Sequence, residues 1–304
     1  MPLPTDLSPA AFDALHGEPA GWREEIAALA ASLGSATLQP IDDGTALVSR
    51  IAGRRILKVF PPFLHDHFDF ECAMLPRLHG RLAQPTPQLL AQGLFQGWPY
   101  IVMTELVGTP VSALWPNLSE SQRLALLREL GALAAQVHAL PVDAAMAALP
   151  PHWPAFIASQ RERCMARQQR TRLPAHLLAQ VPDFIVGPLP ASPAVLLTGE
   201  YTPFNLLGDA ATGRLAAMFD FGDGLVGPRE YDWLGPLCFL VAGDAARCAA
   251  YFDGYGATVD APMRLALMRL LLLHRYSNLK AQIKAPGWQA EPDFAALAQR
   301  LVPG

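Results

Sequence analysis

The sequence has little to build a zinc site or a disulfide framework from. Its four cysteines, Cys72, Cys164, Cys238 and Cys248, form no CxxC pair and have no histidine at ligand spacing, so reduced, buried thiols are expected. Basic character is also missing. A net charge of -4 and the absence of any run of Lys or Arg leave no electrostatic footprint for nucleic acid or an acidic membrane surface. Long apolar runs are lacking too: the greasiest stretch, Leu265–Leu273, contains Arg269, and its unbroken part falls far short of the roughly 20 residues of a membrane span. The opening Met-Pro-Leu-Pro-Thr-Asp has no basic segment followed by an apolar core, so no secretory signal and a cytoplasmic location are expected. No internal repeat is visible, and the 29 prolines are dispersed.

What the sequence has in quantity is apolar material. With 304 residues, 51% of them hydrophobic, the chain can bury a sizeable core as two domains or one bilobal domain. Residues 22–33 place Trp22, Ile26, Leu29, Ala30 and Leu33 at helical spacing. The period then changes. Thr37-Leu38, Ala46–Ile51 and Arg55–Phe60 are separated by the turn signals Asp42-Asp43-Gly44 and Ala52-Gly53, which predicts a small antiparallel meander. A helix is expected over 66–80, closed by Gly80. Strands at 89–95 and 99–106 flank a turn at Gln96-Gly97-Trp98, and Val107-Gly108-Thr109-Pro110 breaks the pattern. Beyond it the chain turns mainly helical: Ser119 and Gln122 form a capping box ahead of Leu124, Leu127, Leu130 and Leu133. Further helices are expected at 154–169, 230–242, 244–255 and 262–284. Residues 194–220 read as strand, loop, strand, turn and strand, with Leu206-Leu207 pairing with 215–219 around Gly213.

Chemistry concentrates in two segments, 197–205 (LTGEYTPFN) and 217–223 (AMFDFGD). They set Glu200 five residues before Asn205 and put Asp220 at the end of a short hairpin, the spacing of a phosphotransferase metal site. An amide oxygen and a carboxylate on adjacent loop ends suit a hard cation such as magnesium. Taken singly, each is an ordinary turn residue; together, and followed by Phe221-Gly222, they point to a site. Asp223 lies near the metal or caps a turn. Lys58, in a strand, points opposite its neighbours, toward solvent or inward to a phosphate. Glu71 on the next helix favours the inward reading, because such a lysine and glutamate pair orients nucleotide phosphates.

In this order the parts resemble the aminoglycoside phosphotransferase family, a branch of the protein-kinase-like superfamily. The resemblance covers most of the chain and is carried by Leu57-Lys58-Val59, Glu71, the segment 101–108 (IVMTELVG), the helix end 135–141 (AQVHALP), the loop 199–207 and 219–232. It implies an α+β bilobal fold, with a small antiparallel-sheet N-lobe over residues 1–106, a larger mainly helical C-lobe over 107–304, and a hinge near 105–110. It also implies roles. Lys58 contacts the α- and β-phosphates of ATP, Glu71 orients Lys58, and backbone groups from Glu105 to Val107 hold adenine. Asn205 and Asp220 ligate magnesium, Asp232 supports the catalytic loop, and His138 is a packing residue. The implied partner is a small-molecule hydroxyl acceptor, an aminoglycoside-like antibiotic or a metabolite. Oligomeric state is not legible.

The sequence departs from the family where Thr198-Gly199-Glu200 replaces the usual His-Gly-Asp, which lengthens the catalytic carboxylate by one methylene. Because phosphoryl transfer depends mainly on positioning and charge neutralisation, the expected activity is still ATP- and magnesium-dependent transfer of the γ-phosphate, with Glu200 orienting the acceptor hydroxyl. Two rivals stand beside it: a catalytically degenerate kinase fold that binds nucleotide or a partner, and transfer of adenylate in place of phosphate. The turn at 42–45 has one glycine, which favours small-molecule kinases over protein kinases.

Overall fold

Five strands, β1 (Leu38–Ile41), β2 (Leu47–Ile51), β3 (Arg55–Val59), β4 (Leu89–Phe95) and β5 (Trp98–Thr104), form one antiparallel sheet in the order β1-β2-β3-β5-β4. The structure is a computed structural model that describes residues 3–16, 20–41, 45–199 and 201–303. The predicted turn Asp42-Asp43-Gly44 and the candidate Glu200 lie outside the described residues. By its contacts the chain divides into a sheet unit, Met1–Arg81, Pro85–Val107 and Phe221–Asp223, and a helical unit, Leu82–Gln84, Gly108–Asp220 and Gly224–Gly304.

Alternation along the strands gives the sheet two buried faces. Leu57 and Val59 of β3 and Val102 of β5 share an apolar cluster with Phe12, Trp22, Ile26 and Leu29, so the helices Pro9–His16 and Ala20–Ser32 cover that face. The first of these helices carried no periodic signal long enough to read. Lys58 points the other way, toward the helix His65–Leu78, whose buried stripe is Phe70, Glu71, Met74, Leu75 and Leu78. Trp98 was expected in the turn, but it opens β5 and is fully buried. Its indole N–H donates to the Pro4 carbonyl at 2.8 Å, while Gln96 and Gly97, with φ of 51° and 85°, make the turn alone. Two left-handed residues match the twist of a tight hairpin.

The helical unit contains β6 (Thr109–Pro110), β7 (Ala194–Leu197), β8 (Leu206–Gly208), β9 (Leu215–Met218) and β10 (Leu225–Pro228). They pair as β6-β8-β9 and as β7-β10. The helix Glu120–His138 starts at the expected capping box of Ser119 and Gln122. It crosses the helix Ala245–Tyr255 where Gly131 and Gly254 allow backbone contact: a Cβ at either would lie 2.1 Å from a carbonyl oxygen of the other helix. Asp143, Asp244, Asp260 and Asp293 cap helix N-termini through their side chains, each satisfying an end N–H.

Two expected helices are broken. Residues 230–242 form a series of tight turns, ending in a π-helical turn Leu237–Val241. The helix expected over 262–284 stops at Leu272, and a new start at 279 is capped by the Asn278 side chain. There the Arg275 N–H donates to the Tyr231 hydroxyl at 3.0 Å and Gln168 donates to the Ser277 hydroxyl at 2.8 Å. Tertiary hydrogen bonds thus take over the backbone and polar groups of the break, and the helical pattern loses to them.

Candidate active site

In the sheet unit, the Lys58 ammonium donates to Glu71 Oε2 at 2.7 Å. Both side chains are nearly inaccessible, 8% and 0% exposed, and the Lys58 Nζ also sits 5.0 Å from the Phe60 ring centroid. Of the two directions open to Lys58 in the sequence, the structure shows the inward one. The turn Phe221–Asp223 belongs to the same unit. Gly222 packs so near that a Cβ there would be 3.3 Å from Glu71 Oε2, and Asp223 pairs with His67 at 3.3 Å. At 105–107, the Glu105 N–H donates to the Arg54 carbonyl at 2.9 Å and its carboxylate pairs with Arg50 at 2.6 Å. Val107 is 69% exposed.

In the helical unit, register places Asn205 and Asp220 together. Leu206 pairs with Met218 in the β8–β9 ladder, and the Phe219 N–H donates to the Asn205 carbonyl at 3.1 Å. Asn205 and Asp220 therefore emerge at the same open end of the hairpin. Asp220 adopts φ +67°, a left-handed conformation that Asp tolerates better than most residues and that recurs at functional sites. The metal candidates are thus an amide oxygen and a carboxylate oxygen, both hard donors. Among the described residues no group of three or more His, Cys, Asp or Glu is placed to hold a metal, so a divalent ion here would draw its remaining ligands from phosphates and water, as magnesium commonly does.

The backbone just before residue 200 is pinned from below. Asp232, fully buried, accepts the Thr198 N–H at 2.9 Å, the Gly199 N–H at 2.9 Å and the Thr198 hydroxyl at 3.3 Å. It also meets His138 Nε2 at 3.1 Å, and His138 Nδ1 is 2.9 Å from the Tyr255 hydroxyl. Both ring nitrogens of His138 are thus engaged, one by the carboxylate and one by the Tyr255 hydroxyl. Thr198 makes two hydrogen bonds to Asp232, through its N–H and its hydroxyl. His138, read from sequence as packing, belongs to this network.

His274 completes it, and nothing in the sequence marks it, because it falls inside the pattern of the expected helix 262–284. Its ring stacks on Tyr231 at 4.8 Å and hydrogen-bonds to the Gly199 backbone. The Tyr276 N–H points at Nδ1 from 3.3 Å, which leaves the other nitrogen to donate to the Gly199 carbonyl. Burial lowers the His274 pKa to about 4, against the opposing effect of that bond. On the far side of residue 200, Tyr201 is fully buried with its pKa raised well above the ordinary value, first by burial and then by Asp232 and Tyr251. A Cβ at Gly235 would lie 2.8 Å from the Tyr201 carbonyl. The thiols take no part: burial pushes Cys72 and Cys238 up to about 12 and Cys164 and Cys248 to about 11, so none supplies a thiolate.

Comparison with known proteins gives the family and the fold. The model of the phosphotransferase enzyme family matches residues 37–267, and no curated protein matches the sequence. Among solved structures, the GDP complex of wild-type aminoglycoside 2'-phosphotransferase-IIIa superposes with a TM-score of 0.66 at 17% identity, over 92% of this chain and 97% of that one. The streptomycin–ATP ternary complex of APH(2")-IIa gives 0.62 at 15% identity, over 86% and 94%. APH(3'')-Id from Streptomyces rimosus, in complex with ADP and streptomycin, gives 0.60 at 19% identity, over 83% and 98%. At these identities the likeness shows the fold, an antiparallel sheet unit with a helical unit of the protein-kinase-like type. The family model spans well over half of the sequence, and the chain belongs to the phosphotransferase enzyme family.

Proposed function

We propose that this chain transfers the γ-phosphate of ATP, with magnesium, to a hydroxyl of a small molecule. The observation that carries the reading is the buried Lys58–Glu71 pair. Two charges removed from water cost more than a well-packed apolar pair, so stability alone gives no reason for them. A lysine held in place by a glutamate is what phosphate binding needs.

In this reading Lys58 neutralises phosphate oxygens, and Glu71 fixes its direction. The backbone from Glu105 to Val107 holds the base. Val107 is an exposed residue whose backbone N–H has no partner among the described residues. The Asn205 amide oxygen and the Asp220 carboxylate are suited by donor type to hold magnesium, which when bound would supply charge neutralisation at the transferred phosphoryl group. Glu200 orients the acceptor hydroxyl and takes its proton late in transfer. The anchors on Thr198, Gly199 and Tyr201 support that role by leaving the loop on either side of Glu200 little freedom, so that a misplacement of about 1 Å, enough to cost on the order of a hundredfold in rate, is resisted.

The test is thermal unfolding with ATP, with and without magnesium. Wild type is expected to gain stability with ATP that depends on magnesium, and Asp220→Ala to lose the magnesium-dependent part. An Asp220→Ala protein that retains the full magnesium effect would place the metal elsewhere. Glu200→Gln is expected to keep the ATP effect and lose turnover; full turnover in that variant would make the carboxylate dispensable.

A further inference from the structure

Phe204 follows Glu200, the residue read as meeting the acceptor hydroxyl, by four positions, so the two are within about 14 Å along the chain. Phe204 is 52% exposed. A phenyl ring left half in water forgoes burial that the core offers other aromatics. Its edge-to-face partner is Phe239, with centroids 5.9 Å apart and planes at 85°, and the Lys284 ammonium lies 5.7 Å from the Phe239 centroid. The Lys284 backbone N–H donates to the Cys238 carbonyl at 3.0 Å, and its ammonium donates one of its three N–H groups to the Ala281 carbonyl at 2.7 Å, which leaves the others for a ligand.

Within the three segments that carry these side chains, charge has one sign. The segments 201–205, 237–241 and 274–284 contain no acidic residue, and the last carries Arg275, Lys280 and Lys284. Elsewhere in the helical unit the carboxylates are largely committed. Asp143, Asp244, Asp260 and Asp293 cap helices, and Glu120, Glu129 and Glu291 pair with Arg247, Arg214 and Arg300. A polycationic aminosugar would lie against an aromatic and cationic surface with few carboxylates to meet its ammonium groups.

Resting on the phosphotransferase reading above, we infer that the acceptor is a hydroxyl compound bearing a flat apolar ring and an anionic group, with the ring on Phe204 and the anion toward Lys284. Four probes separate the parts of this inference: 3-phenyllactate has both ring and charge, 3-phenylpropane-1,2-diol the ring alone, glycerate the charge alone, and kanamycin is a polycation. ADP release is measured for each, together with calorimetric binding in the presence of ATP. The expected order places 3-phenyllactate first and kanamycin last. Phe204→Ala should raise the KM for 3-phenyllactate about tenfold with little change in kcat, and Phe204→Tyr should restore it. Lys284→Gln should remove the preference for 3-phenyllactate over the diol. Kanamycin as the best acceptor, an unchanged KM in Phe204→Ala, or failure of both ring compounds to bind while ATP still stabilises the protein would overturn the acceptor class. If ATP fails to stabilise wild type, the underlying reading falls first.

Discussion

His274 is the residue whose chemistry is most exposed to pH. It is neutral in the fold, with a pKa lowered to about 4 from an ordinary value of 6.5, and in the unfolded chain it takes up a proton near that ordinary value. Between those two values the unfolded state binds more protons, so the contribution is fully present above about pH 6.5 and is lost as pH falls toward 4. The gap corresponds to about 3 kcal/mol. Urea unfolding between pH 4 and 7 should therefore show a slope that flattens in His274→Gln, and an unchanged slope would contradict the assignment. Lys58 and Glu71 offer a second test. Removing one partner takes away the other's buried counter-charge, at about 3–5 kcal/mol, whereas removing both takes the two charges out together. Lys58→Met and Glu71→Gln should each destabilise strongly and the double variant much less; additive losses would show that the pair is not coupled. Lys58 and Glu71 could be picked from the sequence because a strand and the helix after it bring them together within 13 residues. His274 could not, since its partners Tyr231 and Gly199 lie 43 and 75 positions away.

Among the elements, the crossing of Glu120–His138 over Ala245–Tyr255 matters most to the site, because it delivers His138 and Tyr255 to Asp232. Alanine at position 131 would gain up to about 1 kcal/mol of helix propensity over glycine. Against that, its Cβ would meet the Tyr251 carbonyl at 2.1 Å, and overpacking of this kind costs about 3 kcal/mol. Overpacking wins, so Gly131→Ala should unfold at lower urea and lose turnover as the two helices part. Equal stability in that variant would mean that the crossing is looser than described. The same scale shows why parts of the fold could be read directly. The capping box at Ser119 and the β8–β9 hairpin are local signals, complete within a few residues. The break after Leu272 is not local. It is set by Tyr231 and Gln168, so an apolar period running on toward residue 284 overstates the helix. Trp98 was misplaced for a related reason: a turn signal at Gln96-Gly97 does not say on which side of it the buried aromatic begins its strand.

Across the whole molecule, the family match begins at residue 37, so the helices Pro9–His16 and Ala20–Ser32 lie outside it. They nevertheless supply Phe12, Trp22, Ile26 and Leu29 to the core of the sheet unit, which ties residues before the matched span to the strand that carries Lys58. No helix among the described residues is long and apolar enough to cross a membrane. The central claim concerns chemistry, and one product analysis tests it most directly: wild type incubated with ATP, magnesium and a hydroxyl acceptor, followed by mass measurement of both products. The account predicts ADP together with an acceptor heavier by one phosphoryl group, both lost in Asp220→Ala. AMP with an adenylylated acceptor, or intact ATP alongside demonstrated ATP binding, would contradict it.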